Sequence, residues 1–193
     1  EPPMKTNYIS YSLYQNSLQA TFAILMAVSI VNILYFFRTK RPLYLYSFFS
    51  TMIATCFYFI FNMRRRASIP LRYLDWILTT PLLLIELCIL IGIEDWSLIV
   101  PILILNLFVF VLGWFGETER IPRPIGCFLA FIPFLILFSL LFQFGKRSSY
   151  LPFFFVVWTL YGLTYMIPLV RVRNFSYNIL DVVSKGVFSL LLL

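Results

Sequence analysis

The amino-acid sequence predicts an all-α membrane protein, folded as one bundle of seven transmembrane helices over residues 1–193. Of its 193 residues, 61% are hydrophobic and 12% are charged, about half the charged share of an average soluble domain. Seven apolar stretches of about 20 residues or more recur along the chain, and a helix of that length can cross a bilayer. Basic residues collect between the stretches, where they anchor helix ends at lipid headgroups.

Short polar connections separate the seven predicted helices. Pro42 and Pro70 suit the first turn of the second and third helices, where a proline loses no hydrogen bond. Charged residues mark the remaining connections. The predicted helices cover approximately residues 8–37, 42–62, 70–93, 96–115, 124–144, 150–170 and 177–193.

The first predicted helix carries a polar stripe, which consists of Ser12, Gln15, Asn16 and Gln19. Amide side chains are costly in contact with lipid. We therefore expect this stripe to face the interior of the bundle.

The ends of the sequence lead to two expectations about processing. Glu1-Pro2-Pro3 precedes Met4, which is typical of a native start, so we interpret residues 1–3 as a cloning remnant. The sequence closes on Leu191-Leu192-Leu193 within an apolar stretch, so we expect the natural C-terminus to lie further on.

Composition argues against several classes of function. The net charge is +7, but the basic residues lie between apolar stretches, which favours contact with lipid headgroups over binding of nucleic acid. Cys56, Cys88 and Cys127 each fall inside an apolar stretch, which favours buried thiols over disulfides. Histidine is absent, so a transition-metal site or a histidine-based catalytic triad has almost no side chains to use. We expect no enzyme activity and no metal.

The third predicted helix contains the polar groups that most need an explanation. Asp75, Thr79 and Glu86 lie within about 40° of one another on a helix, and about 16 Å separates the two acids along that face. Acid, hydroxyl and acid on one buried face are typical of a proton relay. The alternatives are that Glu86 is a neutral buried carboxyl, that Arg72 snorkels to the interface, and that Thr79 and Thr80 bond back to their own helix.

The seventh predicted helix places Asp181 and Lys185 among apolar neighbours. A lysine in mid-membrane costs about 2.5–3.5 kcal/mol on insertion scales. The simplest explanation is an ion pair between these residues on one helix, but Asp75 also requires a partner. Lysine forms Schiff bases with carbonyl compounds, so Lys185 is the candidate attachment site for such a ligand.

Four aromatic residues have two possible roles. Trp76, Trp158, Tyr161 and Tyr165 would be core packing by default. However, the last three follow one stripe of the sixth predicted helix, and together with Trp76 they could wall a flat apolar ligand.

Three motifs, in the expected order along a chain of seven predicted helices, resemble those of microbial (type 1) rhodopsins. They correspond to the third, sixth and seventh helices of that family. The motifs are Arg72-Tyr73-x-Asp75-Trp76-x-x-Thr79-Thr80-Pro81-Leu82-Leu83, Trp158-x-x-Tyr161, and Asp181-Val-Val-Ser184-Lys185.

The resemblance implies a bacteriorhodopsin-like fold and specific roles for the charged residues. Lys185 would bind all-trans retinal covalently as a protonated Schiff base. Asp75 would be the primary counterion and proton acceptor, and Asp181 the second counterion. Arg72 would gate charge between the Schiff base and one surface.

The resemblance also implies the function and the surroundings of the site. Thr79 would hydrogen-bond Asp75, and Glu86 would be the internal proton donor, a combination similar to that of outward proton pumps. Tyr58 would bond near Asp181, and Ser47 near Glu86. Expected partners are membrane lipid, the transported proton and further copies of the chain, as a trimer or pentamer. The pocket would be lined by Tyr73, Trp76, Thr80, Leu83, Trp158, Tyr161 and Tyr165. Leu83 is at a position where leucine is associated with absorption of green light.

The sequence departs from the family pattern at several points. Gly162 replaces a usual proline, and Tyr165 replaces a usual tryptophan. Residues 171–178 contain no carboxylate, so the paired-glutamate release group is missing and proton release should be late or follow another route. The histidine that partners the counterion in proteorhodopsins is also missing. These departures are similar to those of the divergent viral and protist branch.

Other functions remain open at this point. The polar stripe on the first helix suggests a light-gated cation channel, and the same site could serve a sensory photoreceptor. A structural or transport protein with a buried ion pair is the alternative without photochemistry.

The orientation of the protein in the membrane is open too. The family topology puts the N-terminus outside, but the positive-inside rule favours the reverse, because more basic residues would then lie outside than inside. The outer side would carry Arg64, Arg65, Arg66, Arg120, Arg123, Arg171 and Arg173. The inner side would carry Arg38, Lys40, Arg41, Lys146 and Arg147.

Overall fold

The computed structural model describes residues 11–192, which form a bundle of seven helices without strands. The predicted fold class is confirmed. The seventh helix has three consecutive parts, α7, a π-helical segment and the short α8. The elements are α1 (Tyr11–Thr39), α2 (Pro42–Arg64), α3 (Ile69–Leu90), α4 (Trp96–Glu117), α5 (Arg123–Phe144), α6 (Tyr150–Tyr165), α7 (Val170–Asp181), the π-helical segment (Val182–Val187) and α8 (Phe188–Leu190).

Two predicted boundaries are wrong, both at the connection between the sixth and seventh helices. α6 ends at Tyr165 rather than near residue 170, because Pro168 disfavours helical backbone at the residue before it. α7 begins at Val170 rather than near residue 177. Its first turn includes Arg173, which is only 2% exposed and pairs with Glu117 of α4 at 2.7 Å. This distant partner allows a charged, weakly apolar segment to join a buried helix.

The distribution of charge is that of a membrane protein. Within residues 11–192, five helices are long and apolar enough to cross a membrane, and α6 is a shorter apolar helix. Large apolar side chains face outward, and Phe128 is 69% exposed. Asp75, Glu86 and Asp181 are instead fully buried. Charge is therefore inside the bundle and apolar surface is outside, as a lipid environment requires.

The expected inward orientation of the first helix's polar stripe is wrong. Ser12, Asn16 and Gln19 are exposed. Gln15 is half-buried, and its amide donates to the backbone carbonyl of Arg65. These four residues lie in the first turns of α1, close to the end of the bundle. The buried face of α1 instead comprises Tyr14, Leu18, Thr21, Leu25, Val28, Ser29 and Asn32.

The cysteines only partly follow the prediction. All three are free thiols, and Cys88 is buried. Cys127 is half-buried and Cys56 is exposed on α2. Apolar neighbours in the sequence therefore go with exposure on the surface of the bundle for Cys56 and with burial in the core for Cys88.

Apolar and aromatic packing among α3, α4, α5 and α6 surrounds one cavity. Leu83, Phe138 and Phe154 belong to the main core cluster, to which Trp158 is packed. A second cluster, with Tyr73 and Trp76, lies at the N-terminal half of α3. Together these clusters position the cavity directly beside the seventh helix.

Candidate functional site

Lys185 is the centre of the site and lies in the π-helical segment of the seventh helix. Its side chain is 1% exposed. The Nζ atom lies 3.2 Å from Asp75 Oδ2 and 3.4 Å from Asp181 Oδ1. A π-helical turn inside an α-helix often marks a functional site. The amine is thus held between two carboxylates, so the predicted pairing within one helix exists but is only half of the arrangement.

Asp181 is surrounded by hydrogen-bond donors from three helices. Its Oδ2 accepts from the Tyr58 hydroxyl at 2.7 Å and from Arg72 at 3.3 Å. Its Oδ1 accepts from the Tyr161 hydroxyl at 2.7 Å and from Trp76 Nε1 at 3.2 Å. Because each donor stabilises the ionised carboxylate, these contacts favour the negatively charged form of Asp181. The predicted contact between Tyr58 and Asp181 is confirmed.

Asp75 has a much simpler environment than Asp181. Among the described residues, the hydrogen bonds to its carboxylate come from Lys185 Nζ, at 3.2 and 3.4 Å. Thr79 does not share this carboxylate. Its hydroxyl donates to the backbone carbonyl of Asp75 at 2.8 Å, the bond that threonine commonly makes within a helix. The expected bond between the Thr79 and Asp75 side chains is therefore replaced by a main-chain bond.

Arg72 lies inside the bundle and does not snorkel to the interface. It is 2% exposed, and Nη2 donates to Asn178 Oδ1 at 2.8 Å. Its guanidinium carbon lies 5.6 Å from the centre of the Tyr177 ring. With Arg72 and Lys185 facing Asp75 and Asp181, the buried centre contains two cationic and two anionic side chains. A buried ion pair requires such compensation.

Glu86 lies towards the opposite end of α3, away from Arg72. It is fully buried and accepts a hydrogen bond from the Ser47 hydroxyl of α2, which confirms the predicted contact. The Glu86 Oε2 atom has no hydrogen-bond partner among residues 11–192. The structure thus separates two carboxyl environments on one helix, a charged centre at Asp75 and an isolated carboxyl at Glu86.

An apolar cavity extends from Lys185 between α3, α4, α5 and α6. It is lined mostly by apolar and aromatic side chains and is partly open to the surroundings, a character usual for ligand pockets. All seven residues expected to line a pocket do so. They are Tyr73, Trp76, Thr80, Leu83, Trp158, Tyr161 and Tyr165.

Three contributors to the site are not among the residues that the sequence predicts. Asn106 of α4 donates to the Thr80 hydroxyl at 2.8 Å and lines the cavity. Asn178 accepts from Arg72. Glu117 is 6% exposed and pairs with Arg173. Asn106 is a lone amide in an apolar run, so the cost of burying polar groups in a membrane could have identified it.

Both departures from the family pattern in the sixth helix, Gly162 and Tyr165, pack closely against neighbouring helices. A Cβ added to Gly162 would lie 2.5 Å from Phe131 Cε2, so Gly162 lets the Phe131 ring pack directly on α6. The Tyr165 hydroxyl donates to the backbone carbonyl of Gly113 at 3.0 Å. A Cβ added to Gly116 would collide with that hydroxyl. The absence of a side chain at Gly116 therefore leaves room for the Tyr165 hydroxyl.

Comparison with known proteins places this geometry in a family. The family model described as "Bacteriorhodopsin-like protein" matches residues 15–193. A search of curated protein sequences finds no significant match.

Solved structures give the same fold. The viral rhodopsin OLPVRII is 27% identical with a TM-score of 0.86, covering 93% of this chain and 95% of that one. Xanthorhodopsin, a light-driven ion pump with dual chromophore, is 26% identical with a TM-score of 0.82, covering 94% of this chain and 90% of that one. The light-driven proton pump LR (Mac) from Leptosphaeria maculans is 21% identical with a TM-score of 0.79, covering 92% of each chain. This chain belongs to the bacteriorhodopsin-like family of retinal-binding microbial rhodopsins, and it is an integral, multi-pass membrane protein.

Proposed function

We propose that the protein is a light-driven outward proton pump that binds all-trans retinal covalently through Lys185. One observation carries the proposal. A single buried face of α3 holds Asp75 at 3.2 Å from Lys185 Nζ and, about 16 Å further along the helix, the isolated carboxyl of Glu86. This arrangement supports Asp75 as the proton acceptor and Glu86 as the proton donor for the Lys185 amine.

The residues present fit retinal. A buried primary amine lies at one end of an apolar cavity walled by aromatic rings, which suits a long, apolar aldehyde. Asp75 and Asp181 supply the negative charge that a protonated nitrogen needs in a buried site. When bound as a Schiff base to Lys185, retinal supplies light absorption and an isomerisation that changes the proton affinity of the Lys185 nitrogen.

Asp75 is the carboxylate best suited to take the proton from the Lys185 nitrogen. It faces that nitrogen directly, and Lys185 is its hydrogen-bond donor within the described chain. Asp181 is stabilised as an anion by Tyr58, Tyr161, Trp76 and Arg72, so it holds its charge while Asp75 becomes neutral. Arg72 is anchored to Asp181 and Asn178, and it stands between the acceptor and the surface near the start of α3.

Glu86 is suited to return a proton to the Lys185 nitrogen. Its burial keeps it out of direct exchange with bulk water, and its bond from Ser47 fixes one carboxyl oxygen. Protons would then travel from the Glu86 side to the Arg72 side. Xanthorhodopsin, a light-driven ion pump, shares the fold at 26% identity and supports transport as the function.

The direction in the cell follows from the family topology, with the start of α1 outside. By the positive-inside rule the arginine count on that side opposes this orientation, although two of those arginines have a carboxylate partner within the fold. Arg173 is buried against Glu117 at 2.7 Å, and Arg123 lies 3.9 Å from the same carboxylate. Two of the arginines on the outer side are therefore compensated within the fold.

The family resemblance also implies that the protein assembles as a trimer or pentamer. Native mass spectrometry would count the subunits in the assembly.

A light-gated cation channel is the second candidate, and one observation favours it. Buried polar side chains continue along the interface of α1, α2 and the seventh helix. Ser29 donates to Thr51 at 2.8 Å, and Ser189 donates to Asn32 at 2.8 Å. Such a seam could admit water and ions.

Photocurrents recorded under voltage clamp separate these functions. A pump gives an outward current of one sign at all membrane potentials. A channel gives a current that reverses at the equilibrium potential of its ion. Light absorption with a slow photocycle and no current would instead indicate a sensory receptor and contradict the proposal.

A further inference from the structure

Asn178 lies one turn before Asp181 on α7, and its side chain is fully buried in contact with three other helices. Its amide bonds to Arg72 of α3, Tyr58 of α2 and Ser17 of α1. Burying an amide inside a membrane protein is costly unless its polar atoms are paired. Both polar atoms of this amide are paired, so Asn178 is a junction of the charged centre rather than a packing residue.

The Ser17 hydroxyl determines which way the Asn178 amide faces. Ser17 donates to the backbone carbonyl of Tyr14 at 2.7 Å. Because a serine hydroxyl has a single proton, its oxygen can only accept from Asn178, and the amide nitrogen lies 2.8 Å from it. The amide oxygen of Asn178 must then point the other way, towards Arg72.

Arg72 divides its guanidinium between a neutral acceptor and a charged one. Nη2 donates to Asn178 Oδ1 at 2.8 Å, whereas Nη1 lies 3.3 Å from Asp181 Oδ2. Nε has no hydrogen-bond partner within residues 11–192. The shortest of these bonds therefore goes to the uncharged amide. The contact with Asp181 is a single long one, not the two-bond pair that arginine frequently forms with a carboxylate.

The two oxygen atoms of Asp181 face different cations as a result. Oδ2 faces Arg72, and Oδ1 lies 3.4 Å from Lys185 Nζ. If Arg72 turned so that both of its Nη atoms met Asp181, its positive charge would compensate more of the carboxylate's negative charge. Charges interact strongly in a buried site, so the negative potential at the Lys185 nitrogen would decrease.

We propose that Asn178 is a positioning residue that holds Arg72 in its single contact with Asp181, and thereby keeps the negative charge of Asp181 available to the Lys185 nitrogen. The inference rests on the proposed function, in which Lys185 carries retinal as a protonated Schiff base. Light moves positive charge of such a group away from the nitrogen. A weaker negative potential at the nitrogen therefore lowers the excitation energy and shifts absorption to longer wavelength.

Absorption spectra of Asn178→Leu test the proposal. Leucine is similar to asparagine in size but offers no acceptor, and buried donors rarely stay unpaired, so Arg72 Nη2 should turn to Asp181. The absorption maximum should move to longer wavelength by about 10 nm or more, the scale expected when a unit charge moves by about 2 Å in a weakly screening interior. A maximum that stays in place, or that moves to shorter wavelength because Arg72 turns away from Asp181, would overturn the proposal.

Two further variants separate positioning from a merely structural effect. Asn178→Asp keeps an oxygen acceptor for Arg72 Nη2 and should show no shift to longer wavelength. Asn174→Leu makes the matched exchange one turn earlier on α7, at a half-buried position, and should leave the maximum unchanged. A shift to longer wavelength in either variant would contradict the role assigned to the Asn178 oxygen.

Should Asn178→Leu fail to fold, Ser17→Ala provides a second form of the test. The Asn178 amide then loses the acceptor that orients it, and its oxygen is no longer held towards Arg72. The absorption maximum should move in the same direction as expected for Asn178→Leu. An unchanged maximum in Ser17→Ala would refute the orienting contact on which the proposal depends.

A structure of Asn178→Leu without retinal gives a readout that does not depend on the pigment. Both Nη atoms of Arg72 should lie within hydrogen-bond distance of Asp181, and an Arg72 that keeps its single contact would refute the positioning role. Failure of the proposed function looks different. The unmodified protein mixed with all-trans retinal would then show no visible band, or a visible band without any light-driven pH change.

Discussion

Asp75 Oδ2 and Lys185 Nζ lie 3.2 Å apart, although 110 residues separate them along the chain. The contact joins α3 to the seventh helix at a point where both side chains are at most 1% exposed. Removing either partner would leave an uncompensated charge in the core. The same contact thus compensates charge in the core and, under the proposed function, holds the acceptor beside the nitrogen that gives up its proton.

Attachment of retinal can be tested at Lys185. Lys185→Arg keeps the positive charge that Asp75 and Asp181 face, but guanidinium does not form a Schiff base as a primary amine does. The purified variant mixed with all-trans retinal should show no visible absorption band of the protein-bound pigment. Lys40→Arg, at the exposed end of α1, should absorb like the unmodified protein. A full visible band in Lys185→Arg would show that another group holds the chromophore.

The proposed donor role of Glu86 predicts a change in pH dependence. With Glu86 present, the Lys185 nitrogen regains its proton from inside the protein, so that rate should vary little with pH. In Glu86→Gln the proton must come from bulk water, so the rate should fall about tenfold for each unit of rising pH, in proportion to proton concentration. Flash photolysis across pH 5–8 measures both. Glu94→Gln, exposed on the same side, is the control, and a pH-independent rate in Glu86→Gln would contradict the assignment.

The pair between Glu117 and Arg173 should matter for stability. Glu117→Gln leaves Arg173 buried at 2% exposure without its carboxylate, and breaking a buried pair in this way costs about 3–5 kcal/mol. Denaturant titration in detergent should show that decrease in the free energy of unfolding. Glu119→Gln, an exposed neighbour, should change it by about 0.5 kcal/mol or less.

A double variant checks the electrostatic origin of that effect. Glu117→Leu with Arg173→Met removes both charges, and replacing a buried pair by apolar groups is often neutral. The double variant should therefore be more stable than Glu117→Gln. If it is less stable, the pair contributes through packing rather than through charge.

Gly162 should be required for the packing of Phe131. In Gly162→Ala the new Cβ would lie 2.5 Å from the ring, and overpacking of this kind costs about 1–3 kcal/mol. Phe131→Leu in the same chain should recover part of the loss. Gly186→Ala is the control, because its Cβ would meet nothing closer than 3.7 Å. Equal destabilisation by both alanine variants, measured by denaturant titration, would show that helix flexibility and not the ring is decisive.

The sequence predicted the parts of the fold and site that follow from local pattern. Apolar stretches located the helices, and polar residues inside them identified Asp75, Glu86, Asp181 and Lys185, because burying such groups in a membrane is costly. All of them are inside the bundle. The rule failed for Asn16, since a polar residue near a helix end can meet the interface instead of the interior.

What the sequence did not predict depends on partners that are distant along the chain. The early start of α7 requires Arg173 to be neutralised by Glu117, 56 residues away, and no local pattern shows such a pair. Thr79 was expected to contact the Asp75 carboxylate, but its own helix offered a carbonyl at 2.8 Å. Whether the Thr79 hydroxyl bonds to the Asp75 carboxylate or to the Asp75 carbonyl depends on the positions of these atoms in the folded helix, which do not follow from the sequence.

The most direct test of the account is the light-driven pH change in oriented vesicles, compared between the unmodified protein and Asp75→Asn. The account predicts acidification on the Arg72 side under illumination, abolished by an uncoupler, and no pH change in Asp75→Asn even though that variant still binds retinal. Full light-driven acidification by Asp75→Asn would contradict the assignment of Asp75 as the proton acceptor.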